Sequence, residues 1–398
     1  MLGRLGVLVV VVAAMGCGSG ANSNGPKCSS PTVQSATPTH RAVIAYDQLL
    51  EGPAPPGSYP GNSGWAMFLD HDGVAYFGRS YFVRIGLDGH VVASSSYPPQ
   101  TVGDGSMAVC GVVQNPTGYG AVLCGDPNAS QNRLCLMVAD VWPDVATCAT
   151  VPTPSGPLTW DGTAFQLFSR GKVTTYDATG TWVEDRPFPD LTVDAWPRTA
   201  WYLGDNVVFD WYGPDSAQCN TELVSVVPGS LDADAGAKYE PVPTDFSAKW
   251  LRGVAADTFA AFLAMGACVY RPDYAPTECH DVFPYIGATF LTVIGPDGQP
   301  QLLRQPVPIP DANQLTWDGE NLVAIRHERD EGSICVWVFD VQGTMVRVAC
   351  LVASDDLLGE QRCASDALLV AVVPNDYIVV YNTAQCSTFV TRFQLVPL

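Results

Sequence analysis

Lysine is almost absent from this chain of 398 residues: Lys27, Lys172, Lys238 and Lys249 are all it has. Basic residues total 20 against 40 acidic ones, a formal net charge of −20. A protein that neutralises phosphates needs basic surface, so general nucleic-acid binding is excluded. Charged residues of either sign make up only 15%, against 47% apolar, which excludes a globally disordered chain. Histidines number five and are scattered, and no Cys-x-x-Cys occurs, which argues against a zinc cluster. There is no Gly-x-Ser-x-Gly, His-Glu-x-x-His, phosphate-binding Walker loop or Gly-x-Gly-x-x-Gly. No later segment carries 18 uninterrupted apolar residues.

What is present begins at the N-terminus. Arg4 followed by the short apolar run Leu5 to Met15 reads as an export signal, since roughly 20 residues are needed to span a bilayer. Ala14-Met15-Gly16-Cys17 resembles the lipobox of bacterial lipoproteins, although Ala stands where Leu is usual. That resemblance implies acylation of Cys17 and removal of residues 1–16. Gly18 to Pro26 is rich in Gly, Ser and Asn, and residues 17–39 read as a flexible tether. Gly18, not Asp, after the cysteine implies, by resemblance to the enterobacterial sorting rule, the outer membrane, facing the periplasm or the cell surface.

With Cys17 set aside, 12 of the 13 cysteines remain, an even set suited to disulfides in an exported chain. Cys110 and Cys124 flank Asn115-Pro116-Thr117-Gly118, and pairing Asn115 with Tyr119 would set the two cysteines opposite each other. Cys335 and Cys350 flank Asp340 to Gly343 within one residue of register, which a bulge or a two-residue turn at Gln342-Gly343 would correct. Cys135–Cys148 and Cys363–Cys386 flank similar hairpins, Cys268–Cys279 would staple a long loop, and Cys28 and Cys219 remain by elimination.

The rest of the chain repeats. Leu158-Thr159-Trp160-Asp161-Gly162 recurs as Leu315-Thr316-Trp317-Asp318-Gly319, each before an apolar strand. Looser copies are anchored at Gly73, Gly118, Asp205, Asp257 and Asp376, so that successive anchors lie 43 to 62 residues apart. A second turn with Asp and Gly follows in most units, and the runs between are rich in β-branched and aromatic residues. Four strands per unit is the pattern of a β-propeller blade. The expectation is an all-β, seven-bladed propeller over residues 40–398, its short last unit completed by Arg41 to Asp47 so that no sheet edge stays open. A two-domain β-sandwich is the alternative. The Trp-Asp-Gly turns resemble propeller repeats of secreted bacterial, especially myxobacterial-type, lipoproteins; this implies fold and location and carries no chemistry.

In such a ring the turns between first and second and between third and fourth strands share one face and are short here. The remaining connections are long and share the other face, which is therefore the expected binding face. Candidate residues there are Trp196, Arg198, Trp250 and Arg252 near the entry to inner strands, His280 and Asp281 in the long loop Arg271 to Gly287, and Arg326 and His327 in a mixed-charge loop. Arg and Trp in these positions can grip a polar ligand by charge-assisted bonds and stacking. The functional expectation is a lipid-anchored binding or scaffold module for an envelope protein or glycan, monomeric and without a cofactor. The alternative is a polysaccharide hydrolase or lyase with carboxylates at the channel, to which Asp104, Asp194, Asp355 and Asp356 could contribute. Asp126-x-Asn128-x-Ser130 and Asp232-x-Asp234-x-Gly236 echo calcium loops, but both lack the closing bidentate Glu.

Overall fold

The computed structural model describes residues 37–50, 66–70, 72–78, 81–96, 108–124, 132–138, 141, 147–151, 156–169, 171–188, 196–212, 222–228, 246–269, 286–309, 312–328, 333–352, 367–382 and 388–398. No helix among them is long and apolar enough to cross a membrane. They form 27 strands. Four sheets follow the chain four strands at a time. The first holds β2 (Ala66–Asp70), β3 (Gly73–Phe77), β4 (Tyr81–Gly86) and β5 (Val91–Ser96), and the second β6 (Ala108–Asn115), β7 (Gly118–Cys124), β8 (Asn132–Val138) and β9 (Ala149–Val151). The third holds β10 (Leu158–Trp160), β11 (Phe165–Ser169), β12 (Lys172–Tyr176) and β13 (Trp182–Pro187). Another holds β21 (Gln314–Trp317), β22 (Leu322–Glu328), β23 (Ser333–Phe339) and β24 (Met345–Val352).

Between the last two lies one sheet of seven strands: β14 (Trp196–Leu203), β15 (Asn206–Tyr212), β16 (Glu222–Pro228), β17 (Phe246–Ala256), β18 (Phe259–Val269), β19 (Ile286–Ile294) and β20 (Pro300–Val307). The described residues therefore give six blades, which corrects the seven expected from the anchors. The reason is the pairing of β16 with β17 at Glu222 and Ala248, which joins two sequence units in one sheet. That sheet's two halves also pack on each other, with Leu203, Val208, Val224 and Val226 against Ala260, Phe262 and Ile294.

The closing sheet combines the two ends of the described chain. β25 (Ala367–Val373), β26 (Asp376–Asn382) and β27 (Thr388–Pro397) are completed by β1 (His40–Leu49), which runs antiparallel to β27 from His40–Pro397 to Leu49–Phe389. First strands neighbour one another around the ring, β25 to β2 to β6 to β10 to β14, and β17 to β21 to β25. The seven-stranded sheet supplies two of these inner strands, β14 and β17, which also neighbour each other.

The core lies in layers between sheets. Val323, Val336 and Ala349 meet Leu369, Tyr377 and Phe393 across one interface, and Val122, Leu134 and Val151 meet Phe165, Leu167 and Tyr176 across another. A middle strand is covered on both faces, so β3, β11 and β23 are buried at every position. The outermost strand β13 is exposed along nearly all its length.

The repeated Trp-Asp-Gly turns have one local cause. Asp161 Oδ1 accepts from the amides of Thr163 and Ala164, both at 2.7 Å, and Asp318 Oδ1 from those of Glu320 (2.9 Å) and Asn321 (2.7 Å). The carboxylate thus replaces the backbone partners that the tight turn cannot supply. Gly162 and Gly319 each sit at φ +98, a left-handed backbone that disfavours any side chain.

Disulfides tie neighbouring segments of the sheets. Cys335 faces Cys350 and Cys135 bonds Cys148, with S–S distances of 2.00 and 2.05 Å. A bulge between Val338 and Phe339 supplies the missing residue of register. The first hairpin of the second sheet departs from the sequence reading: Asn115 pairs with Gly118, not Tyr119, and a bulge between Val109 and Gly111 leaves Ala108 opposite Cys124. Cys124 is disulfide-bonded. Cys17, Cys28, Cys219, Cys279, Cys363 and Cys386 lie outside the described residues, and Cys268 is described through its backbone.

Candidate binding face

The two faces of the ring are built differently. On one, first and second strands are joined by pairs such as 116–117, 204–205, 257–258 and 374–375, and third and fourth strands by 87–90, 177–181, 295–299 and 340–344. Asp177, Asp297 and Asp340 each accept backbone amides inside their own turns. Burial pushes the Asp161 carboxyl up, but hydrogen bonds from Thr163, Ala164 and Gln166 outweigh it and hold it below the usual range. The exposed Asp177 is held low by Thr179 and Thr181.

The same face is stitched from sheet to sheet. The Tyr377 hydroxyl donates to Asp318 Oδ2 at 2.8 Å, and that of Tyr119 to Asp70 Oδ2 at 3.1 Å. Arg392 Nη1 donates to the Leu87 carbonyl (2.8 Å), and within the seven-stranded sheet Asn206 Nδ2 ties the two halves by donating to the Pro296 carbonyl (2.7 Å). Asp70, Asp161, Asp177, Asp297, Asp318, Asp340 and Asn206 are therefore occupied in holding turns and neighbours.

Most long connections leave from the opposite face: 97–107, 125–131, 189–195, 213–221, 270–285 and 353–366 join second to third strands or one sheet to the next. Two others, 139–148 and 229–245, start from the turn face. The long connections are thus concentrated on one face.

The sequence candidates are distributed over this frame. Trp196 and Arg198 lie on β14 and Trp250 on β17, both inner strands, and His327 lies on β22; all four are described through their backbone. His280 and Asp281 lie outside the described residues, as do Asp104, Asp194, Asp355, Asp356 and both calcium-like segments, 126–130 and 232–236. Arg326 is half-buried on the second strand of its sheet, opposite Cys335 and one strand out from the inner strand β21.

Arg252 has a defined task. Its Nε donates to the Asn313 carbonyl at 2.6 Å, joining β17 to the residue that leads into β21. One position on, Gln314 Oε1 accepts from the Leu369 amide at 2.6 Å and joins β21 to β25. Inner strands of neighbouring sheets have no common backbone ladder, so side chains bridge them. Sequence reading missed Gln314; the weak signal was an amide side chain opening the repeated Leu-Thr-Trp strand. Among the described residues no group of three or more His, Cys, Asp or Glu could hold a metal.

No protein-family model and no curated protein matches the chain. Solved structures do. The WD40 domain of Neurospora crassa Pan2 is 10% identical, with a TM-score of 0.53 over 90% of this chain and 96% of that one. The fold is similar to that of a WD40 propeller. Kluyveromyces lactis Hsv2 (10% identity, TM-score 0.44, 85% of this chain and 99% of that one) and a chain of a mitotic checkpoint complex (10%, 0.48, 98% and 98%) are more distant in shape. The WD40-like frame has blades of four antiparallel strands and one enlarged sheet.

Proposed function

We propose that the protein is a binding or scaffold module that holds a protein partner at the long-connection face of its WD40-like propeller. The observation that carries this reading is the asymmetry of the two faces. One is closed by short turns, several of whose carboxylates are bonded to backbone amides, while most of the long connections leave from the other. Long connections are costly to order and serve contact when they cluster. A photo-crosslinking residue placed at Tyr274, in the connection 270–285, is expected to give discrete protein adducts in the native cell. The same residue at Ala178, in the turn 177–181, is expected to give none. Equal adducts from both, or none from either, would overturn the reading.

The module acts at the cell envelope in this reading, held by lipid on Cys17 through the tether 18–39, in the manner of the bacterial lipoproteins that residues 14–17 resemble. A glycan is the second class of ligand for the same face. Several acyl chains hold a protein firmly to a bilayer where one alone does so only marginally. Cys17→Ser is expected to abolish incorporation of labelled fatty acid and to move the protein from the membrane pellet to the soluble fraction. Fatty acid still attached to that variant would refute the lipid anchor.

A further inference from the structure

Trp182 stands apart from the other tryptophans whose side chains are described. Trp160, Trp201 and Trp317 each meet a phenylalanine edge-on, and Trp337 is buried. Trp182, at the head of the rim strand β13, is 58% exposed. Its position is fixed nonetheless. The pairing of β12 with β13 slips between Thr175–Glu184 and Tyr176–Trp182, leaving Val183 as an extra residue. That bulge lets residues 182 and 185, three apart, act on the same side of the strand. Trp182 Nε1 donates to Asp185 Oδ1 at 3.3 Å, and Lys172 Nζ donates to Asp185 Oδ2 at 3.0 Å. The hydroxyls of Thr179 and Thr181, 3.0 Å apart, end the turn just before the indole.

The surroundings form the outer margin of the interface between the second and third sheets. Tyr176, opposite Trp182 in register, is buried in the layer shared with Leu134 and Val151. A Cβ on Gly180 would lie 3.1 Å from Leu136 Cδ1 of the second sheet. An oriented indole thus borders a seam, its N–H bonded to a carboxylate that also holds an ammonium.

We infer that Trp182, Asp185 and Lys172 form a binding site for a neutral sugar ring of a polysaccharide or glycan. A pyranose has an apolar face of C–H groups that covers an indole, and an equatorial belt of hydroxyls that both donate and accept. Asp185 supplies acceptors and Lys172 donors, and charge assistance strengthens both. A protein occupant fits less well, because one indole with Val183 beside it falls far short of the ~800 Å² per partner of a stable interface. Acidic glycans are disfavoured by the net charge of −20. A site with one stacking ring binds weakly, with Kd on the order of 1 mM, and gains strength through repeated units of the polymer. The site lies on the rim and is independent of the proposed protein-binding face.

The test is saturation-transfer NMR on the purified propeller with cellohexaose, chitohexaose and maltohexaose, each at millimolar concentration. At least one is expected to receive saturation on its ring C–H protons. Trp182→Ala is expected to reduce binding at least ~10-fold, and Trp182→Tyr to retain it within a few-fold, since a phenol ring still offers a stacking face. Because the side chain is exposed, thermal melting of both variants should match the parent. No transfer to any of the three sugars, or equal binding by Trp182→Ala, would overturn the site.

Discussion

Removal of residues 40–48 is expected to lower the melting temperature by at least ~10 °C or to leave the protein insoluble, whereas removal of residues 18–26 should leave it unchanged. Strand β1 hydrogen-bonds β27 along nearly its whole length. Its loss exposes the edge of β27 as a template for pairing with other chains. Specific contacts go with it. Asp47 Oδ1 accepts from the Thr391 hydroxyl at 2.5 Å and from that of Tyr381 at 3.3 Å. The Tyr46 ring rests on the β4–β5 turn so closely that a Cβ on Gly89 would lie 2.8 Å from it. With a net contribution of about 1 kcal/mol per hydrogen bond, losing a ladder of this length costs on the order of 5 kcal/mol. A synthetic peptide of residues 37–50 should restore part of the loss in trans. Equal melting of the two deletion variants would show that β1 does not stabilise the closure.

The next largest effect is expected at Asp376. Its side chain is 7% exposed and pairs with Arg392, whose Nη2 donates to Oδ2 at 2.8 Å and Nε to Oδ1 at 3.0 Å. Gln394 Nε2 adds a third bond, to Oδ2 at 3.1 Å. Arg392 also reaches the Leu87 carbonyl of the next sheet, so the pair fixes the seam where the ring closes. Asp376→Ala leaves a half-buried guanidinium without its acceptor, at a cost of ~3 kcal/mol in urea unfolding. Asp376→Asn keeps one acceptor and should cost less. Burial pushes the Asp376 carboxyl up, but the hydrogen bonds from Arg392 and Gln394 outweigh it and hold it below the usual range. A depressed carboxyl contributes stability that is complete above the unfolded value of about 3.9 and is lost as the pH falls through the folded one. The parent should therefore lose stability below about pH 4, and the gap between it and Asp376→Ala should narrow there. A gap unchanged from pH 7 to pH 3 would remove Asp376 as its source.

Features that depend on neighbouring residues were legible before the structure. The Trp-Asp-Gly turns are set by Asp161 and Asp318 bonding amides two and three residues on, and the sequence signals them directly. The role of β1 could be inferred because the last unit lacks an outer strand. Register at Cys335–Cys350 was legible to within the one residue that the bulge at Val338/Phe339 corrects. The Asn115 hairpin was misread because Pro116-Thr117 makes a two-residue turn, in which Thr117 N donates to Asn115 Oδ1 at 3.1 Å. The number of blades depended on the Glu222–Ala248 contact between two units, which no periodicity signals. The bond from Arg252 to Asn313 was not legible, because its acceptor is a main-chain carbonyl 61 residues away and a carbonyl leaves no trace in residue type.

The joint between β1 and β27 also brings the two ends of the propeller together. The Leu398 amide donates to the Thr39 carbonyl at 3.3 Å, and the Thr39 amide in turn donates to the Val348 carbonyl of the neighbouring sheet at 3.0 Å. A ring whose ends touch has no geometrically privileged starting point. The same blades in the same order around the axis are compatible with a cyclically permuted chain, in which a short bridge from 398 to 39 replaces the gap and new ends open at a connection between other sheets. The order of strands along the chain and the order of blades around the axis are therefore separable properties. Which blade is assembled from two distant segments follows from where the chain is cut.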